Sequence, residues 1–401
     1  MRIAVYHSLP PGGARRLVSE IIRRSSADHA YDLYTLDLAE TPNGAAGAEL
    51  NGHLNAAHRA MLPRPAMGRL TAATPLRIPG IVSRIHAAER EIAARIDAGG
   101  YELCWVHHTE YVQAPFLLRH LRTPSLYYVH EPRRQSFEAR AYRSPYVHRS
   151  APRRALARSF EEYLRRADAV STAAATHLAC NSHFTAEAIE RAYGRDAWVC
   201  HPGVDESLFA PSEVPAAHTT NTPYVIAVGA LHWLKGHELA IDAVARVAAP
   251  RPELVVVYGR SVPDCESRLR ERAARSGVSL HLRRDVPDAE LVALYRGAVA
   301  TVCASRLEPF GLTALESASC GTPVVAVAEG GFRETVVDGA GGRLVEASAE
   351  GIAEGIETVR RDAPRHDPVA TRATVVPRFS WDATVARLHE LYERTVAVAP
   401  R

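Results

Sequence analysis

Short apolar runs, each closed by glycine, proline or polar turn residues and then followed by a stretch of helical period, recur along most of this chain. Nothing else in the sequence constrains the fold as much. Strands separated by crossover helices rejoin one sheet in parallel, with helices on both faces. The first half opens on Ile3-Ala4-Val5-Tyr6, passes through Leu9-Pro10-Pro11-Gly12-Gly13, and continues with apolar residues at Leu17, Val18, Ile21 and Ile22. That pattern predicts strand, glycine-rich turn and helix. Further strands are expected at 31–36, 103–106, 125–129 and 178–181, and helices at 81–98, 114–121, 153–166 and 185–193. From residue 41 to about 80 the chain is rich in Pro, Gly, Asn, Ala and His without a sustained period. A long excursion with at most short helices is expected there, and excursions of that length are more often functional than accidental.

A proline-punctuated stretch at 211–223 reads as a linker, after which the alternation restarts. Strands are expected at 224–228, 254–258, 280–282, 299–303 and 324–327, and a last helix at 381–396 has no strand after it. The chain has 401 residues, 47% of them hydrophobic, enough for two cores. The expected architecture is therefore α/β: two doubly wound Rossmann-like domains, 1–205 and 206–379, with helix 380–398 packing back on the first. Ligands of such sheets bind at the carboxyl ends of the strands. Two domains facing each other would place those loops around a shared cleft.

Composition excludes several function classes. The 48 Lys+Arg nearly balance 45 Asp+Glu, leaving a net charge of +3, so no overall field favours a nucleic-acid partner. Of the basic residues only Lys235 is a lysine. Six cysteines occur without a C-x-x-C pair or zinc-ligand spacing, which predicts buried, reduced thiols. The start lacks the long apolar core of a signal peptide, and no run is long enough to span a bilayer. A cytoplasmic protein with at most peripheral membrane contact is expected.

The most informative run is Glu308-Pro309-Phe310-Gly311-Leu312-Thr313-Ala314-Leu315-Glu316, leading through Cys320-Gly321-Thr322-Pro323 into a strand. Glu308 falls in the loop after strand 299–303, and a helix is expected to start at Gly311, its exposed N–H groups and dipole favouring a bound anion or hydroxyl oxygens. Glu308 and Glu316 can face one extended ligand, and ionised carboxylates accept hydrogen bonds only, which suits sugar and ribose hydroxyls. The plainer reading makes Glu308 a helix N-terminal acid and Glu316 a solvated helix residue. His130, in His130-Glu131-Pro132 after a strand, is a site candidate or a satisfied structural histidine; His107 and His108 end the preceding strand similarly. Ser182 reads as an N-cap rather than a nucleophile. The Arg-rich stretch 133–166 reads as a solvated helix face with Leu156, Phe160, Tyr163 and Leu164 as its apolar stripe, in preference to an anion-binding surface.

The E-x7-E loop and Gly-Thr-Pro-Val-Val resemble the donor site of family-4 retaining glycosyltransferases, whose two-Rossmann-domain architecture is GT-B. The resemblance extends over most of the chain. It includes Gly12-Gly13-Ala14, Tyr128-Val129-His130-Glu131-Pro132, Asn181-Ser182-His183-Phe184-Thr185, Pro202-Gly203-Val204-Asp205, Val228-Gly229, Lys235-Gly236, the strand end at Gly259, and the segment Val286-Pro287-Asp288 through Glu290-Leu291 to Leu294-Tyr295. It implies that Glu308 binds donor-sugar hydroxyls, that the backbone of Phe310, Gly311, Leu312 and Thr313 holds the sugar or diphosphate, and that Glu316 takes the ribose. Lys235 would contact the diphosphate, Gly229 would lie beside it, Gly12 and Gly13 would approach the phosphates, Val286 would lie near the base, and His130 beside the reacting sugar. The family commonly has an arginine where this chain has Ala230; His232, Arg260 or Arg306 are substitutes for that cation.

The function implied is metal-independent, retaining transfer from a UDP- or GDP-sugar to an acceptor hydroxyl on a small molecule, glycan or lipid-linked carrier, with no cofactor. No D-x-D occurs to hold a metal. An epimerase or phosphorylase of the same architecture and a catalytically weak binding protein are the alternatives. A nicotinamide dehydrogenase is disfavoured, because no G-x-G-x-x-G follows the first strand.

Overall fold

The opening apolar run becomes β1 (Arg2–Ser8), whose Ile3, Ala4, Val5 and Tyr6 are all fully buried. A parallel strand covered on both faces has no solvent side, so its sequence is continuously apolar rather than alternating. The computed structural model describes residues 1–10, 12–38, 50–62, 78–109, 112–137, 151–212, 222–339 and 341–398. They divide into two units: Met1–His201 together with Trp381–Arg401, and Pro202–Ser380.

After β1, unit 1 runs α1 (Gly13–Ser25), β2 (Ala30–Leu38), β3 (Ala56–Leu62), α2 (Ile78–Ala98), β4 (Leu103–Thr109), β5 (Ser125–Val129), α3 (Arg134–Phe137), α4 (Ala151–Ala174), β6 (His177–Cys180), α5 (His183–Tyr193) and β7 (Trp198–Val199). Its parallel sheet has the order β3-β2-β1-β4-β5-β6-β7. Alternate residues of β1 and β4 feed two cores. Ala4, Tyr6, Cys104 and Val106 pack under α2, whereas Ile3, Val5, Leu103 and Trp105 pack with α1 and Leu388, Leu391 and Tyr392 near the chain's end.

Unit 2 runs β8 (Tyr224–Val228), α6 (His237–Arg246), β9 (Glu253–Tyr258), α7 (Cys265–Arg275), β10 (Leu280–Arg284), α8 (Asp288–Gly297), β11 (Ala300–Cys303), α9 (Leu312–Ser319), β12 (Val324–Val327), α10 (Phe332–Thr335), β13 (Gly342–Val345), α11 (Ala349–Asp362) and α12 (Pro368–Ala373). Its parallel sheet is ordered β10-β9-β8-β11-β12-β13. The last helix, α13 (Trp381–Val398), packs on α1 and beneath β4 and β5 of unit 1. Among the described residues, no helix is long and apolar enough to cross a membrane. All six cysteines are buried free thiols.

Several expectations need correction. The excursion at 41–80 contains a full strand, β3, paired with β2 from Asp32↔Ala56 to Leu38↔Leu62. It is an edge strand, and its exposed His58 and Arg59 break the apolar signal; residues 41–49 and 63–77 lie outside the described residues. The helix expected at 114–121 is one 3-10 turn, Phe116–Arg119, opened by Pro115 and pinned at Leu117 N–H by the Glu89 carboxylate (3.2 Å). The basic helix α4 continues to Ala174, and Tyr163 stands 49% exposed rather than in the apolar stripe with buried Leu164. Strands β7 and β13 were not expected, because two residues and a Gly-Arg-Leu-Val edge segment carry too little apolar pattern.

Candidate functional site

Strand order reverses direction at β1/β4 in unit 1 and at β8/β11 in unit 2, so the loops leaving these strands diverge and open a crevice at the carboxyl end. In unit 2 that crevice brings together Gly229, Lys235 and Glu308. Lys235 Nζ donates to Glu308 Oε1 at 2.9 Å and to Oε2 at 2.8 Å. Ser305 Oγ donates to the same Oε2 at 2.5 Å. The Glu308 side chain is only 17% exposed and that of Lys235 35%. Gly229 has φ 155°, and a Cβ built on it would lie 3.5 Å from Lys235 Cδ, so the lysine stem runs along the glycine. Gly236, in the left-handed region, ends the lysine's turn and starts α6. His237 is buried there, with Nε2 at 3.3 and 3.2 Å from the carbonyls of Gly229 and Ala230. Two acceptors require a protonated Nε2, and burial lowers the imidazole pKa to about 4, so the ring is neutral.

The loop between β11 and α9 is built tightly. Leu307 adopts φ 51°, a conformation uncommon outside glycine. Gly311, at φ 107°, caps α9; a Cβ there would come within 2.8 Å of Phe332 Cδ1. Phe310 is buried, edge-on to Phe379 at 5.7 Å. Gly331 N–H donates to Glu308 O at 2.7 Å, and a Cβ on Gly331 would lie 2.5 Å from Phe310 Cα and O. The N–H groups of Leu312 and Thr313 therefore begin α9 at a backbone position fixed from two sides, and the helix dipole adds positive potential there. Thr313 Oγ1 lies 3.8 Å from Cys303 Sγ, whose thiol burial raises to about 12. One turn on, Glu316 is only 9% exposed and accepts a hydrogen bond from Tyr295 OH at 3.0 Å, which rules out the solvated reading. Arg260 and Val286 lie just past the ends of β9 and β10: Arg260 is exposed and accepts Leu231 N–H through its carbonyl, while Val286 packs on the unit-2 core.

Comparison with known proteins matches residues 11–208 to the Glycosyltransferase Family 4 model and residues 212–375 to the Glycosyl transferases group 1 model. The chain belongs to glycosyltransferase family 4. Two similar curated relatives are D-inositol 3-phosphate glycosyltransferases. That of Thermobispora bispora is 34% identical over 217 residues, covering 48% of this chain and 49% of the relative. That of Acidothermus cellulolyticus is 34% identical over 244 residues, covering 56% and 54%. The chain thus spans about half the length of the curated relatives it matches. Among solved structures, sucrose-phosphate synthase from Thermosynechococcus elongatus superposes with TM-score 0.73 at 21% identity, covering 99% of each chain. Anabaena Alr3699/HepE in complex with UDP-glucose gives 0.69 at 21% identity, covering 98% of this chain and 100% of that one. These likenesses and the two parallel sheets make the fold GT-B.

The remaining candidates of this family-4 chain lie in unit 1. Gly12 caps α1 with φ 149°, and nothing lies within 4 Å of a Cβ built there, so the backbone angle rather than crowding requires glycine. Gly13 is the first residue of α1. His130 follows β5 and is buried, its Nε2 3.0 Å from His107 Nδ1 and its ring against His108 and Tyr128. Burial, then the neighbouring His108 and His7, holds its pKa well below the ordinary value, so the imidazole is neutral. Three bonds hold the loop it opens: Asn181 Nδ2 donates to His130 O (2.8 Å), Gln113 Nε2 to Glu131 O (2.8 Å), and Arg133 N–H to Tyr193 OH (3.1 Å). Sequence reading passed over Ser305, the carboxylate-facing role of Tyr295, and Gly330-Gly331. Ser305, three residues before Glu308 at a strand end, was the one with a local signal.

Proposed function

We propose that this chain transfers a sugar from a nucleotide-diphosphate sugar, UDP- or GDP-linked, to an acceptor hydroxyl, with retention and without a metal. The observation that supports this most is the Lys235–Glu308–Ser305 cluster at the unit-2 switch point, beside the N-terminus of α9. The Lys235 ammonium near the N–H groups that open α9 suits a diphosphate, and the Glu308 carboxylate, whose two oxygens can accept further hydrogen bonds beside those from Lys235 and Ser305, suits sugar hydroxyls. In this reading Glu308 binds the sugar, Glu316 the ribose, the backbone at Phe310 to Thr313 the diphosphate, and Val286 flanks the base. Lys235 exchanges one Glu308 bond for a phosphate oxygen when the donor arrives.

Glu308 is engaged by Lys235 and Ser305, which argues against its being a nucleophile for double displacement. The reading is therefore a front-face reaction. The acceptor oxygen bonds to the anomeric carbon as the carbon–phosphate-oxygen bond breaks, and the acceptor proton passes to the departing phosphate oxygen. Lys235 and the α9 dipole offset the charge gathering on that diphosphate. The acceptor class is a small-molecule, glycan or lipid-linked hydroxyl; the names of the curated relatives make an inositol phosphate one acceptor to try.

The test is an assay of UDP- and GDP-sugars with an acceptor panel, following glycoside by mass and anomeric configuration by NMR. Retained glycoside, formed in the presence of chelator and lost in Glu308→Ala and Lys235→Ala, is expected. An epimer or sugar phosphate as product, or unchanged turnover in both variants, would overturn the reading.

A further inference from the structure

Glu316 is a buried carboxylate whose partner comes from another element. Tyr295 is fully buried in α8, and its OH donates to Glu316 Oε2 at 3.0 Å. Thr322 Oγ1 anchors the Tyr295 backbone by donating to its carbonyl at 2.7 Å, and the ring stands edge-on to Phe209 at 6.2 Å within a closed core. Burial, and then the Glu316 charge, keep the phenol protonated far above its ordinary range, so it is a permanent donor. A carboxylate taken out of water needs such donors to stay ionised and to keep one rotamer.

We propose that Tyr295 is the positioning residue that orients Glu316 toward a ribose 2′,3′-diol, and so sets the preference for ribonucleotide over deoxyribonucleotide donors. The inference rests on the reading of Glu316 as the ribose ligand. Tyr295 reaches no ligand itself; it acts through the acid. Its helix carries a second consequence. The segment before α8 holds Val286, beside the base in the proposed reading, and α8 ends two residues past Tyr295. One rigid ten-residue helix thus links the base-flanking loop to the ribose-binding acid, so the two contacts are registered to each other rather than set independently.

The experiment measures dissociation constants by calorimetry for three probe pairs, UDP and dUDP, GDP and dGDP, ADP and dADP, with the wild-type chain, Tyr295→Phe and Glu316→Ala. The wild type is expected to prefer the ribonucleotide of its own pair by about tenfold or more, the scale of one or two lost charge-assisted hydrogen bonds. Glu316→Ala removes that preference. Tyr295→Phe, which keeps the ring, weakens the ribonucleotide about fivefold to tenfold and the deoxynucleotide, which keeps only the 3′-OH contact, by less, so the ratio falls toward one. A purely packing role would weaken both members equally and preserve the ratio, and that result overturns the proposal. If the ratio persists in Tyr295→Phe but vanishes in Glu316→Ala, the ribose reading stands and only the positioning role falls. No preference in the wild type, or one that survives Glu316→Ala, overturns both. Should Tyr295→Phe not fold, 3-fluorotyrosine at position 295 keeps the shape and strengthens the donor; an altered ratio supports the proposal and an unchanged one overturns it.

Discussion

Lys235 occupies a narrow slot. Its stem runs along Gly229, its ammonium donates to both oxygens of Glu308, and the next residue must turn through a left-handed glycine. Arginine at this point is longer, planar and spreads its charge over a fork, so it satisfies Glu308 by a bidentate pair and loses the compact charge that can be shared with a phosphate. Lys235→Arg is therefore expected to keep the fold and to lower transfer by about 100-fold, the scale of removing one preorganised charge contact. Initial rates of glycoside formation check this, and near wild-type turnover would mean that any cation serves. The chain otherwise uses arginine for every basic position, which makes the lone lysine a test of whether composition carried information.

At the scale of elements, the donor loop is held by its neighbour rather than by its own sequence. Gly331 has φ −67°, open to any residue, so its lack of a side chain answers to the close approach of Phe310 Cα and O at 2.5 Å and of Pro309 O at 2.7 Å. Gly331→Ala should displace the Glu308–Gly311 backbone, costing about 1–3 kcal/mol of stability in denaturant melts and weakening nucleotide binding in the same variant. Ser182 is a second element-scale case. Its Oγ accepts Thr185 N–H at 3.0 Å and caps α5, so Ser182→Ala should cost about 1 kcal/mol in urea unfolding. These contacts explain what could be read in advance. Strands β5, β8 and β12 were legible because both faces are buried, and Glu308 and Glu316 because their chemistry lies within one local run. Ser182 was legible from capping chemistry alone. Ser305 and Tyr295 act across space between elements, and the edge strand β3 has no apolar face to announce it, so neither kind of feature leaves a periodic trace.

For the whole molecule, the buried titratable groups set how stability responds to pH. His107 and His130 are held well below the ordinary histidine value by burial first and neighbouring histidines second; burial brings His108 and His237 down to about 4. Between about pH 4 and 6.5 the unfolded chain binds protons at these four positions and the folded one does not, so stability falls as pH drops. Two buried acids oppose this. Burial raises Glu89 to about 7, against hydrogen bonds from Tyr6 and the Leu117 backbone, and raises Asp168 to about 6, against those from Tyr193 and Ala114. Their folded forms hold protons that the unfolded chain has released, so their contribution is full at low pH and is lost as pH rises through 6 to 7. These four outnumber the two acids, and burial lowers His29, to about 4, and more exposed histidines in the same direction, so the balance is a net loss on acidification, at up to about 1.4 kcal/mol per pH unit for each unbalanced, fully buried site. Melting temperature should therefore peak near neutrality and fall by several degrees at pH 5. Glu89 and Asp168 both lie in unit 1 and offset two of its histidines, but burial lowers His29 there to about 4 and lowers His86, His120, His177 and His389 as well, beside His107, His108 and His130, against only His232 and His237 in unit 2. Amide exchange corrected for intrinsic rate should therefore lose more protection in β4 and β5 than in β11 and β12 between pH 7 and 5. Equal losses in both sheets would mean that the histidine cluster does not govern acid stability, and a double variant His107→Phe/His108→Phe that keeps the same pH slope would show it directly.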